Sequence, residues 1–199
     1  PTIAICIETQ RSPQDWDSVE NTPIQTSLIP SLERTIVGPN LLGYHFRLYL
    51  AAQDDDDFWH QHQHHIKTPT WLSVLVKFYK PSQHKIPFNS LMKDAYNDGV
   101  DYLMRVSEDS TFETINWVVH AIDTLESYDP PNVGMVGPKS LQGNKVIMTH
   151  NMVHRTHLDV FEQYYPGALP APWIDAWMSI VYGSKRSTQL LDWRIHDHA

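Results

Sequence analysis

Only one cysteine, Cys6, occurs among the 199 residues, and it lies inside an apolar run. That excludes a disulfide framework and points to a reducing, cytoplasmic setting. No stretch approaches the ~20 consecutive apolar residues of a membrane span. No secretory signal pattern is read at the amino end. Basic blocks are missing too: 15 Lys and Arg stand against 23 Asp and Glu, for a formal net charge of −8. Nothing here offers to neutralise a phosphate backbone, so no nucleic-acid partner is expected. Glycine is sparse, eight in all, and none falls in Glu8-Thr-Gln-Arg-Ser-Pro13 after the first apolar run. A Gly-rich phosphate loop in that place is therefore excluded.

What is present suits a globular chain, with 41% hydrophobic and 19% charged residues. The length allows one domain with a substantial core or two small ones. With no internal repeat, low-complexity linker or clear boundary, residues 1–199 read as one domain. Thr2–Glu8 is a continuous apolar run with β-branched residues, the pattern of a strand buried on both faces. Thr22-Pro23 opens a helix whose apolar residues Ile24, Leu28, Leu32 and Ile36 share one face, with a bend expected at Pro30. Residues 41–52 and 71–79 read as second and third strands. A helix over residues 88–96 is broken at Asn97-Asp-Gly99, and a short strand then runs from Asp101 into Glu108 and Asp109. A helix is expected from Thr111 to Tyr128. Residues 133–137 and 145–149 read as further short strands. Alternating helices and buried strands predict an α/β fold with a central, mostly parallel, twisted sheet flanked by helices, a Rossmann-like plan.

In such sheets ligands collect at the carboxyl ends of strands. Glu108 and Asp109 stand at such an end, where hard carboxylate oxygens suit Mg²⁺ or Mn²⁺ shared with substrate phosphates. The alternative is a solvated strand end that caps the next helix through Ser110 and Thr111. Thr9 and Arg11 follow the first strand and Asp54 to Asp57 follow the second, places where a nucleotide base would sit. Lys77 lies unusually within the third strand, its stem packed and its head at the site edge. Asn89, near a helix start, caps that helix or touches ligand. Arg105 precedes the acidic pair, where it meets phosphate or serves structure. His60, His62, His64 and His65 follow the four aspartates, but their polar Gln spacers fit a solvated linker better than a zinc site. Trp173-Ile-Asp175-Ala-Trp177 admits two readings. Either the rings are core and Asp175 caps a helix, or the rings form a sugar platform with Asp175 inside it. The tail adds His196 and His198.

Three stretches together resemble the GT-A type of nucleotide-sugar glycosyltransferase. They are residues 89–109 ending in Ser107-Glu108-Asp109, then residues 156–183 with Trp173-Ile-Asp175-Ala-Trp177, then His196 or His198. They cover roughly the second half of the chain. The first is similar to the family's helix–strand unit with its Asp-x-Asp or Asp-Asp metal motif, the second to its acceptor-side segment, the third to its late metal-binding His. The chain departs from the pattern with Glu108 where Asp is usual, and with Ala176 where a second acid is common. A compact chain with no membrane anchor is similar to the glycosyltransferases encoded by chlorella viruses, as an amino-terminal domain of a longer protein. That likeness implies capsid-glycan synthesis in the host cytoplasm.

The resemblance implies a UDP-sugar donor, a glycan or glycoprotein acceptor, and Mn²⁺ or Mg²⁺ held by Asp109 with His196 or His198. Residues 1–110 would then form the nucleotide part and residues 111–199 the acceptor side. Asp175 would be the general base if configuration inverts, or would contact sugar hydroxyls if it is retained. Thr9, Arg11, Asp54 and Asp57 would meet the base, and Lys77, Asn89, Arg105 and Glu108 the rest of the donor. Two other classes compete: a non-catalytic nucleotide-sugar-binding module, and a nucleotidyltransferase, against which the Gly-free first loop counts.

Overall fold

The computed structural model describes residues 1–9, 16–38, 43–80, 88–140 and 147–197. Its strands are β1 (Thr2–Glu8), β2 (His45–Gln53), β3 (Leu72–Tyr79), β4 (Tyr102–Arg105), β5 (Ser110–Phe112), β6 (Met135–Ser140), β7 (Asn151–His154) and β8 (Ser187–Asp197). They form one curled sheet in the order β3-β2-β1-β4-β7-β6-β8-β5. The β1–β2, β2–β3, β1–β4 and β6–β8 pairs are parallel; β4–β7, β6–β7 and β5–β8 are antiparallel. Strands β1 to β4, β6 and β8 therefore all aim their carboxyl ends at one edge. The reversed strands β5 and β7 begin there, at Ser110 and Asn151. This is the α/β class and the largely co-directional sheet that the alternation of elements predicts.

The helices are α1 (Ile29–Thr35), α2 (Asp57–His62), α3 (Phe88–Asn97), α4 (Trp117–Glu126), α5 (Thr156–Phe161) and α6 (Ala171–Tyr182). Alternate residues of the buried strands feed two apolar layers. Ile3, Ile5, Ile7, Leu48 and Leu50 pack toward Leu32, Trp59, Trp117 and Ile122. On the opposite face Ala4, Cys6 and Tyr49 pack toward Leu91, Met92, Leu158, Ile174 and Met178. Complete burial of Cys6 pushes its thiol far above its ordinary value. The irregularity expected at Pro30 is present just before it: Ile24–Leu28 form a π-helical turn in which the Ile29 N–H reaches back to Ile24. Proline has no N–H to continue the usual ladder, and the chain widens one turn before it.

Three local expectations change. Residues 110–112 are not the start of a helix but β5, paired with Ile195, His196 and Asp197. Ser110 and Thr111 carry the signature of a cap, yet Phe112 is buried against Trp117 with ring centroids 4.9 Å apart. The strand partner lies more than eighty positions away, and no local pattern reveals it. The helix begins only at Trp117. The strand expected over residues 145–149 is instead β7, which starts at Asn151; residues 145 and 146 lie outside the described residues, as does the Gly143-Asn144 turn. The histidine-rich segment is helical, because the Asp56 side chain accepts the Trp59 N–H at 3.1 Å and caps α2.

Candidate active site

Two polar clusters form at the carboxyl edge. The first is built on Arg105, the last residue of β4. Its guanidinium carbon lies 4.7 Å over the Phe88 ring at the start of α3. From there Arg105 Nη1 donates to Asp175 Oδ1. The two side chains retain only 13% and 20% of their exposure. Asp175 reaches Arg105 because it shares the inner face of α6 with the buried Ile174 and Met178. Neither reading of Asp175 as a helix cap nor as a residue between two stacked indoles describes this contact.

Behind the pair, Asn151 stands opposite Arg105 in the β4–β7 ladder and is fully buried. Its side-chain oxygen accepts from the Tyr164 hydroxyl. Burial raises the Tyr164 hydroxyl well above its usual range, against the opposing pull of Arg105. Tyr165 is raised for the same reason, again opposed by Arg105 and reinforced by the charge of Glu8 at the end of β1. His157 holds this region to α6: it meets the Tyr164 carbonyl through Nε2 at 2.8 Å and the Tyr182 hydroxyl through Nδ1 at 2.5 Å. A carbonyl only accepts, so Nε2 carries the proton and Nδ1 accepts from Tyr182. Burial drives the His157 pKa down to about 4, and the imidazole is neutral at neutral pH.

The second cluster stands beside the acidic tip. Asp197, ending β8, accepts from Ser110 Oγ at 2.8 Å. His150 Nε2 meets both Asp197 oxygens, at 3.0 and 2.8 Å. Burial by itself would raise the Asp197 carboxyl. The hydrogen bond and charge of His150, the Ser110 hydroxyl and the charge of His196 outweigh that and hold it below its ordinary value. Gly137 makes room for the His150 segment: a Cβ there would sit 2.5 Å from the His150 carbonyl. Glu108 and Asp109, half-buried, immediately precede Ser110. His196 precedes Asp197 on β8 and so projects to the opposite face of the sheet.

The remaining candidate residues are placed as follows. Thr9 Oγ1 accepts the Trp59 indole N–H at 3.2 Å, which ties the end of β1 to α2. Asp54 and Asp57 are exposed at the end of β2 and in the first turn of α2. Lys77 points at α3, its ammonium 3.7 Å from Asp98. Asn89 Nδ2 donates to the Tyr165 carbonyl at 2.9 Å, and its Oδ1 accepts the Tyr165 N–H at 3.0 Å. It thus clamps the aromatic turn onto α3. Arg11 and His198 lie outside the described residues. His60 stacks on Phe78 with centroids 3.9 Å apart and meets the Asp54 carbonyl at 2.9 Å. Sequence reasoning did not single out Glu8, His150, Asn151, Tyr164 or Asp197. The one available signal is a polar His150-Asn151 pair immediately before the apolar Met-Val of β7.

Among the described residues no group of three or more His, Cys, Asp and Glu side chains is gathered to hold a metal ion. Asp197 already serves His150 and Ser110. Glu108 and Asp109 offer two adjacent carboxylates, a donor set that fits a hard cation arriving with phosphates and not a closed protein cage.

The same fold recurs in solved structures. Residues 1–349 of S. aureus TarS superpose with a TM-score of 0.62 at 13% identity, covering 99% of this chain and 60% of that one. The mannosyltransferase PcManGT from Pyrobaculum calidifontis, solved with GDP-Man and Mn²⁺, gives 0.60 at 12% identity, covering 98% and 56%. GalNAc-T7, solved with UDP, GalNAc and Mn²⁺, gives 0.65 at 10% identity, covering 98% and 43%. The chain thus has the GT-A-type fold of nucleotide-sugar glycosyltransferases, and spans 60% or less of the length of each of these three chains. No protein-family model matches it, and no curated protein matches it in sequence.

Proposed function

We propose that this chain transfers a sugar from a UDP-sugar to a glycan or glycoprotein acceptor. The observation that carries the reading is the Arg105–Asp175 ion pair at the end of β4, on the sheet edge toward which the chain runs on to Glu108 and Asp109. The UDP-bound and UDP-GlcNAc-bound forms of TarS support the nucleotide class. Glycosyl transfer passes through an oxocarbenium-like state, and a carboxylate held near the ring stabilises it. Asp175 takes that role. Arg105 and Phe88 fix its direction, and Arg105 stands next to the anionic leaving group. Thr9 and Arg11, with Asp54 or Asp57, form the base side. Lys77 and Asn89 hold α3 in place and are not donor contacts in this proposal. Glu108 and Asp109, with His196 or His198 from the tail, would hold Mn²⁺ or Mg²⁺. When bound, that ion supplies Lewis-acid neutralisation of the departing UDP. A role in viral capsid-glycan synthesis is the biological setting proposed.

A second reading draws on the same ion pair. Asp175 engaged by Arg105 also suits a module that binds a nucleotide sugar without turning it over. Incubation with a panel of UDP-sugars and Mn²⁺, with UDP release followed by chromatography, separates the two. Steady UDP release supports transfer or slow hydrolysis. UDP binding without release supports the binding module.

A further inference from the structure

The outer side of α6 carries a feature that the donor reading does not use. Residues two apart on a helix point to nearly opposite sides. Asp175 turns to Arg105, while Trp177 turns toward α5, half-buried against the core. Trp177 meets Phe161 edge-to-face at 5.5 Å and 77°, and His157 at 6.3 Å and 74°. These contacts fix the indole as one wall of a cleft of about 330 Å³, lined also by Phe161, Glu162, Gln163 and Pro166. That volume lies within the usual ligand-site range of about 300–1,000 Å³. One turn earlier, Trp173 is 63% exposed on the same side of the helix. An indole left in water at that position adds nothing to the core, to which α6 contributes Ile174 and Met178, with Trp177 and Tyr182 packed against them.

From this geometry we infer a glycan-binding subsite on the α5–α6 face, its ligand a neutral oligosaccharide. The subsite deepens the proposed transfer reaction and rests on it in one respect: the bound glycan is the distal part of the acceptor. Ligand class follows from the lining. Rigid aromatic surfaces match the apolar C–H faces of pyranose rings. The rim offers a carboxylate at Glu162 and an amide at Gln163, both exposed, which pair with sugar hydroxyls. Among the described residues no cationic side chain lines the cleft, and Glu162 repels anions, so a phosphate or an acidic glycan is disfavoured. The same helix carries Asp175 to Arg105 and Trp177 and the exposed Trp173 toward the α5 side, so one rigid element links the reaction edge to the cleft.

The test is an array of immobilised neutral and acidic glycans probed with the full chain, followed by calorimetry on the best neutral oligosaccharide. Trp173→Ala is the first variant; Glu162→Gln, at an exposed position, is the second. The expected result is binding of at least one neutral glycan class, weakened about tenfold or more by Trp173→Ala, with UDP affinity unchanged. Retained UDP binding with no neutral glycan bound overturns the subsite while leaving the donor site intact. The subsite is equally overturned if glycan binding is indifferent to both variants, or if only acidic glycans bind. It is overturned too if light scattering shows a dimer that Trp173→Ala dissolves, since the platform is then a protein contact. Loss of UDP binding in the unaltered chain would instead count against the donor reading, while glycan binding still judges the subsite.

Discussion

Arg105 and Asp175, seventy positions apart in sequence, close an ion pair at the carboxyl end of β4 with the guanidinium carbon 4.7 Å over the Phe88 ring. Both are mostly buried, so removing one charge leaves the other poorly compensated. Asp175→Asn keeps the shape and removes the charge. Turnover should fall by about 10²-fold or more, the scale of one lost electrostatic contact at a reacting centre. UDP affinity should stay nearly constant. Kinetics and calorimetry on this variant check both halves, and unchanged turnover would reject the role of Asp175 on the sugar.

Donor binding should need a divalent ion. UDP titrated with and without Mn²⁺ should show a clear gain in affinity with the ion, and Asp109→Ala should abolish that gain without unfolding the chain. Equal UDP affinity in the two buffers would sink the assignment of Glu108 and Asp109.

His157 should make stability fall on mild acidification. Its folded pKa is lowered to about 4, against an unfolded value of about 6.5, so the unfolded chain binds more protons between these values. Its stabilisation is fully present above about pH 6.5 and is lost as pH falls toward 4, about 3 kcal/mol in all. Asp197, held low by His150 and Ser110, adds a loss at still lower pH, below the unfolded carboxylate value of about 3.9. Denaturant unfolding from pH 7 to 4 should show the first slope in the native chain and a clearly smaller one in His157→Gln. Parallel profiles would contradict it.

The histidines at positions 60–65 should not form a metal centre. His60 is already placed on Phe78 and the Asp54 carbonyl. Replacing His60, His62, His64 and His65 with Gln should leave activity within a few-fold. Stoichiometric zinc in the purified chain, lost in that variant, would show the contrary.

What the sequence displays of this fold depends on how local each cause is. β1 is legible because burial on both faces leaves an unbroken apolar run. The Pro30 irregularity is legible because a missing N–H acts within one turn. β5 is not, since Ser110 and Thr111 resemble a cap and their real partners lie on β8. The acidic tip stands out as two adjacent carboxylates after a strand. Its supports do not: His150 and Asn151 acquire meaning only when β7 inserts between β4 and β6. Likewise, Trp173 and Trp177 invite a reading that places Asp175 between them. Helical geometry sends the acid to Arg105 and the Trp177 ring to Phe161 and His157 of α5.

The most direct test of the central claim is product analysis after incubating the chain with UDP-sugars, Mn²⁺ and a glycan acceptor. The account predicts release of free UDP, strongly reduced in Asp175→Asn. Release of pyrophosphate, or UDP release that is indifferent to Asp175, would contradict it.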